Sequence, residues 1–191
     1  VYTCTGVAAV GVHDASAPTK LDLVEELAWT GSSASYPRCT HIDVQSDRVL
    51  VSARADEVQT SPFLALLDAS DPLHPKSLDD LRLTDAVTEE AVLAGGSAWV
   101  AATDAGLRVY DVSDGSFGGS SEVSGLGTVT RVARFGSGVA AGTSDGSVHI
   151  VGADRELVKT IDVGGQVQAL LDLGDGRLVV ALGSDGLALI D

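Results

Sequence analysis

Four histidines, two cysteines and a surplus of aspartates are the side chains here that could do chemistry, so their spacing comes first. His13, His41, His74 and His149 lie far apart and in unlike local contexts, whereas metal sites need ligands clustered at short spacings. Aspartate-rich turns can hold calcium, but the D-x-[DN]-x-[DN]-G loop is missing, so these aspartates read as turn formers. Gly136-Ser137-Gly138-Val139-Ala140-Ala141-Gly142 imitates a dinucleotide loop after an apolar run. That chemistry needs a helix N-terminus to receive the pyrophosphate, and a short strand and another turn follow instead. No catalytic, cofactor-binding or metal-binding residues are therefore assigned. Cys4 and Cys39 form one even pair, which allows a single disulfide between adjacent units or two free, half-buried thiols.

A different group stands out for recognition. Two stretches, 29–38 and 54–62, exceed the regular spacing of the chain and carry Trp29, Tyr36, Arg38, Arg54, Asp56 and Glu57. Insertions in repeat arrays collect on one face, and aromatic residues with arginine are the usual anchors of interfaces. Neutral length variation in surface loops is the competing explanation.

These residues must be held by a repeated scaffold. Gly96, Gly136 and Gly176 are forty apart, as are Ala101, Ala141 and Ala181, and Gly106, Gly146 and Gly186. Apolar runs of four to eight residues alternate with Gly/Asp/Ser turns, the signature of strands and hairpins. A period of about 40 residues built this way predicts an all-β fold of four-stranded antiparallel propeller blades. The approximate units are 1–36 (partial), 37–86, 87–127, 128–165 and 166–191 (partial), within one propeller segment. The first unit is expected to open with a third strand at 7–14 and a fourth at 21–28. Two arrangements follow: a partial ring, or a four-bladed ring in which 21–28 pairs beside 187–191.

The chain has 191 residues, 27 acids against 12 bases, and a net charge of −15. Such a field repels phosphate backbones and argues against nucleic acid as a partner. No stretch reaches the roughly 20 apolar residues of a membrane-spanning helix.

The third strands carry a family resemblance. Leu64-Ala65-Leu66-Leu67-Asp68, Leu107-Arg108-Val109-Tyr110-Asp111 and Leu187-Ala188-Leu189-Ile190-Asp191 resemble the LVIVD repeat of bacterial and archaeal surface propellers. Asp68-Ala69-Ser70-Asp71-Pro72 and Asp111-Val112-Ser113-Asp114 resemble the ending that follows it, and Asp14-Ala15-Ser16-Ala17-Pro18 is a looser copy. The unit with Val148-His149-Ile150-Val151 departs from it and is closer to a WD-type blade. The resemblance implies an extracytoplasmic propeller (periplasmic, secreted or on the cell surface) and no shared catalytic activity. Independently of any family, an Asp ending a strand can accept the N–H two residues on and fix the turn.

The expected function is a non-enzymatic recognition or scaffold module that uses loops on one face to bind a protein or surface polymer. One alternative is a propeller enzyme of lactonase, glycan-active or quinone-cofactor type. Its site would lie at the central channel, where the inner strands offer Asp43, Glu89, Glu90, Arg131, Arg134, Gln168 and Asp172. Another is a purely structural repeat of a larger surface protein.

Overall fold

A computed structural model of the chain describes residues 1–5, 9–17, 19–28, 38–54, 62–84 and 86–191. Apart from one 3-10 turn at Gly183–Asp185, these residues form strands and the turns between them. The first sheet contains β1 (Tyr2–Cys4), β2 (Ala9–Asp14) and β3 (Asp22–Ala28). The second contains β4 (Arg38–Gln45), β5 (Arg48–Arg54), β6 (Phe63–Asp68) and β7 (Lys76–Arg82). β8 (Glu90–Ala94), β9 (Ser97–Ala101), β10 (Leu107–Asp111) and β11 (Ser120–Val123) make the third. β12 (Val129–Phe135), β13 (Gly138–Thr143), β14 (Ser147–Val151) and β15 (Leu157–Asp162) make the fourth. β16 (Ala169–Asp172), β17 (Leu178–Ala181) and β18 (Leu187–Ile190) make the fifth. Every sheet is an antiparallel meander in chain order, and β4, β8, β12 and β16 succeed one another as inner strands.

The burial pattern explains the sequence pattern. β5 and β6 are buried almost end to end because sheets cover both of their faces, so they read as mainly apolar runs with little alternation. β7 and β15, the outermost strands of their sheets, are largely exposed and correspondingly polar or mixed. Each core layer lies between consecutive sheets. Leu50, Leu64 and Leu66 pack against Ala91, Leu93, Ala98 and Val100, while Trp99, Leu107 and Val109 pack against Val132, Val139 and Ala141.

Three expectations are corrected. A strand at Tyr2–Cys4 precedes the one read as the first, so the opening sheet holds second, third and fourth strands. Asp22–Ala28 pairs with β2 in that sheet and does not close a ring beside β18. Finally, the forty-residue echo is not a structural register. Ala101 and Ala181 stand opposite Leu107 and Leu187, but the residue opposite Val148 is Gly142, one past Ala141. Ala141 therefore faces the preceding sheet and packs with Trp99, whereas Ala101 faces the following one.

The strand-ending aspartates behave as their position demands. Asp14, Asp68 and Asp111 accept the backbone N–H of Ser16, Ser70 and Ser113 at 2.8, 2.9 and 2.9 Å. The Ser16 and Ser70 N–H groups, then their hydroxyls, hold Asp14 and Asp68 below the usual carboxylate range; for Asp111 the Ser113 hydroxyl leads. The unfolded state thus takes up protons first on acidification. The stabilisation is complete above the unfolded value of about 3.9 and is lost as pH falls through the lower folded values. Asn keeps the acceptor without the charge. The thermal midpoint of the wild type should therefore fall more steeply below about pH 4 than that of an Asp68→Asn, Asp111→Asn variant. Identical acid limbs for the two proteins would contradict this account.

Candidate functional site

The inner strands bring the channel-side residues to common levels. His41, Glu90, Arg131 and Ala169 occupy the same place in successive inner strands, opposite Ser52, Ala101, Gly142 and Ala181 respectively. Most of these side chains reach to the next sheet. His41 Nδ1 lies 3.3 Å from Glu90 Oε1, and Glu90 Oε2 accepts the Val132 N–H at 3.0 Å. Arg131 Nε donates to the Gln168 carbonyl at 2.5 Å.

One level along, Asp43 Oδ2 accepts the Leu93 N–H at 2.7 Å and an Arg134 Nη1–H at 2.6 Å. Asp43 is buried, and this single carboxylate ties three inner strands together. His41, Asp43, Glu90, Arg134 and Asp172 line a concavity of about 400 Å³ with Val92, Val132 and Leu170. Its acids are already engaged: Asp43 and Glu90 with the backbone of the next sheet, and Asp172 with the Gly174 N–H at 2.8 Å. Asp43 and Glu90 are blade staples, whose role depends on the register between sheets, while Asp172 fixes a local turn. Among the described residues no group of three or more His, Cys, Asp or Glu is placed to hold a metal ion.

A second, smaller recess of about 230 Å³ opens among Thr40, His41, Glu89, Glu90 and Arg131. It adjoins the ends of the two long connections, because β4 begins at Arg38 and β5 ends at Arg54. Arg38 and Arg54 stand directly opposite each other across β4 and β5. Like charges so placed oppose pairing, a cost of a few tenths to about 1 kcal/mol. Among the described residues only Arg54 is offset, by Glu89 Oε1 at 3.3 Å, and both arginines are exposed. The structure thus brings Arg38 and Arg54 together; Trp29, Tyr36, Asp56 and Glu57 lie outside the described residues.

Cys4 and Cys39 form a disulfide with Cα atoms 5.4 Å apart, joining β1 of the first sheet to β4 of the second.

The glycine-rich loop is a hairpin. Gly136 takes φ +57° in the turn between β12 and β13, and a side chain at Gly138 would meet the Val151 carbonyl and the backbone beyond it. Gly142-Thr143-Ser144-Asp145-Gly146 has the letters of a nucleophile elbow, but it joins β13 to β14 with no helix after it. Its Thr143 hydroxyl instead accepts the Ser147 N–H at 3.0 Å and can direct its one proton to Asp145 Oδ1 or Ser147 O, building the turn.

No protein-family model matches the chain, and no curated protein matches it in sequence. Solved structures match it in shape. The β-propeller domain of Myceliophteria thermophila Cps50 (Swd1) superposes with a TM-score of 0.76 at 16% identity, covering 98% of this chain and 61% of that one. A chain of the mitotic checkpoint complex gives 0.67 at 16% identity, covering 100% and 60%. The computationally designed Ika8 protein gives 0.71 at 14% identity, covering 98% and 54%. The chain therefore spans little more than half the length of each of these three. With its meander sheets and serial inner strands, it has the fold of a β-propeller.

Proposed function

We propose that this chain is a non-enzymatic recognition module of an LVIVD-type propeller, extracytoplasmic in setting, that binds a protein or acidic surface polymer at the Arg38–Arg54 rim. The observation that carries the reading is the facing pair of exposed arginines in a chain of net charge −15. Among the described residues the one ion pair here, Arg54 with Glu89, leaves the charge of Arg38 unmatched, whereas a ligand carboxylate can neutralise it, in bidentate fashion if needed. The adjoining connections carry Trp29 and Tyr36, side chains of the kind that anchor interfaces. The disulfide supports an oxidising compartment, since such bonds persist outside the reducing cytosol. Protein partners are the general habit of the fold's scaffolds, which is support by analogy.

The test is capture of a partner from the native extracellular milieu, followed by binding measurements on Arg38→Ala, Arg54→Ala. Affinity should fall at least tenfold, and binding should weaken with salt, while the thermal midpoint stays level or rises as the repulsion is removed. Undiminished binding by that variant would refute the assignment. Hydrolytic activity that survives the rim change and disappears in Glu90→Gln would put an enzyme in its place.

A further inference from the structure

The small recess beside the rim has a chemistry of its own. Thr40 and His41 of β4, Glu89 just before β8, Glu90 at its start and Arg131 of β12 line it. Glu89 belongs to both places, because it lines the recess and its Oε1 meets Arg54 Nη1 at 3.3 Å. At about 230 Å³ the recess is smaller than the roughly 300–1,000 Å³ of drug-sized sites, so it suits one ring-sized group. No apolar residue lines it, and an apolar group would gain little by entering.

The uncommitted atoms narrow the choice further. Arg131 commits Nε to the Gln168 carbonyl and Nη1 to the Thr130 carbonyl, which leaves Nη2. Glu90 accepts the Val132 N–H on Oε2, and its Oε1 lies 3.3 Å from His41 Nδ1. A carboxylate at that place holds the neutral ring's proton on Nδ1 and leaves Nε2 as an acceptor. Glu89 keeps its Oε2. Among the described residues the recess therefore sets a guanidinium donor beside two acceptors. An ammonium group only donates and would face Arg131, whereas a carboxylate only accepts and would face Glu89. A hydroxyl does both, and neighbouring hydroxyls on one ring can serve donor and acceptors together. Outside the recess, Arg38 stands two residues before Thr40 on β4 with no ion pair among the described residues. Arg38, Arg54 and Arg131 outnumber Glu89 and Glu90 here, in a chain whose net charge is −15.

We infer, resting on the rim reading above, that the occupant is one unit of a carboxylated polysaccharide, a uronate whose ring hydroxyls enter the recess while its carboxylate meets Arg38. A protein side chain supplies one half of this pattern only: aspartate or glutamate brings the carboxylate, serine or threonine the hydroxyl.

The probes are short oligomers of galacturonate, glucuronate and mannuronate, a neutral galactose oligomer and oligoglutamate, titrated calorimetrically into the 191-residue chain at one ionic strength. At least one uronate oligomer should bind about tenfold or more tighter than both the neutral oligomer and oligoglutamate, the equivalent of one charge-assisted hydrogen bond. Methylating its hydroxyls, with the carboxylates intact, should bring it to the level of oligoglutamate. Thr40→Phe, which fills the recess and leaves every charge in place, should do the same. Arg38→Ala should bring it to the level of the neutral oligomer.

A uronate oligomer that binds no tighter than oligoglutamate, or that is indifferent to methylation, would overturn the inference and leave the rim reading standing. So would failure of every uronate oligomer to bind while a captured protein binds through Arg38 and Arg54. The methylated probe needs no variant and decides even if Thr40→Phe does not fold. Undiminished uronate binding by Arg38→Ala, Arg54→Ala would instead remove the rim reading, and the inference with it.

Discussion

Trp99→Ala is expected to lower the free energy of unfolding by about 3–5 kcal/mol, the range for truncating a fully buried large aromatic side chain. Trp99 is 2% exposed, at the centre of the layer between the third and fourth sheets, among Leu107, Val109, Val132, Val139 and Ala141. Small residues on the opposing sheet cannot swing in to refill the space, so most of the cavity would persist. The indole Nε1–H donates to the Ala94 carbonyl at 3.2 Å, which fixes the ring and adds about 1 kcal/mol. Trp99→Phe, which retains most of the volume and loses the donor, should cost roughly half as much. Urea unfolding followed by circular dichroism reads both values. A cost below about 1 kcal/mol for the alanine variant would mean that the two sheets do not meet at Trp99.

The second large effect is expected at the disulfide. Cys4 and Cys39 are 35 residues apart, and closing a loop of that size restrains the unfolded chain by roughly 4 kcal/mol on the chain-entropy model. The first sheet has particular need of it. Among the described residues its innermost strand is β1, only three residues long, so few backbone hydrogen bonds hold it to β2. Cys4→Ser, Cys39→Ser should therefore release β1 to β3 before the rest. Hydrogen exchange should accelerate strongly across residues 1–28 while β8 to β15 keep their protection. Uniform loss of protection across the chain would show that the bond supports the whole array and not the first sheet alone.

Much of this architecture was legible in sequence because it is local. Turn glycines and the Asp-x-Ser endings each act within a few residues, so spacing alone located the strands around them. Apolar runs such as 49–51 and 63–67 also signalled burial on both faces. The opening strand leaves no sequence signal because Tyr2–Cys4 is too short to show a period. The offset at Ala141 was illegible for another reason: identical letters forty apart do not reveal that one added residue turns a side chain to the opposite face. Of the candidate site, Arg38 and Arg54 were visible as residues bordering long connections. Their direct opposition depends on the pairing of β4 with β5. The staples at Asp43, Glu90 and Arg131 depend on contacts between different sheets, and no spacing within one unit encodes those.

The central claim is that the inner strands of successive sheets converge on one channel, and Asp43 with Arg134 tests it most directly. The two residues are 91 apart in sequence, belong to the second and fourth sheets, and meet at 2.6 Å across the third. A double-mutant cycle with Asp43→Asn and Arg134→Gln measures their coupling in urea unfolding. The account predicts a favourable coupling of about 1 kcal/mol or more, within the 0.5–3 kcal/mol found for residues in direct contact. Simple additivity of the two substitutions, within a few tenths of a kcal/mol, would place the side chains apart and contradict the propeller arrangement described above.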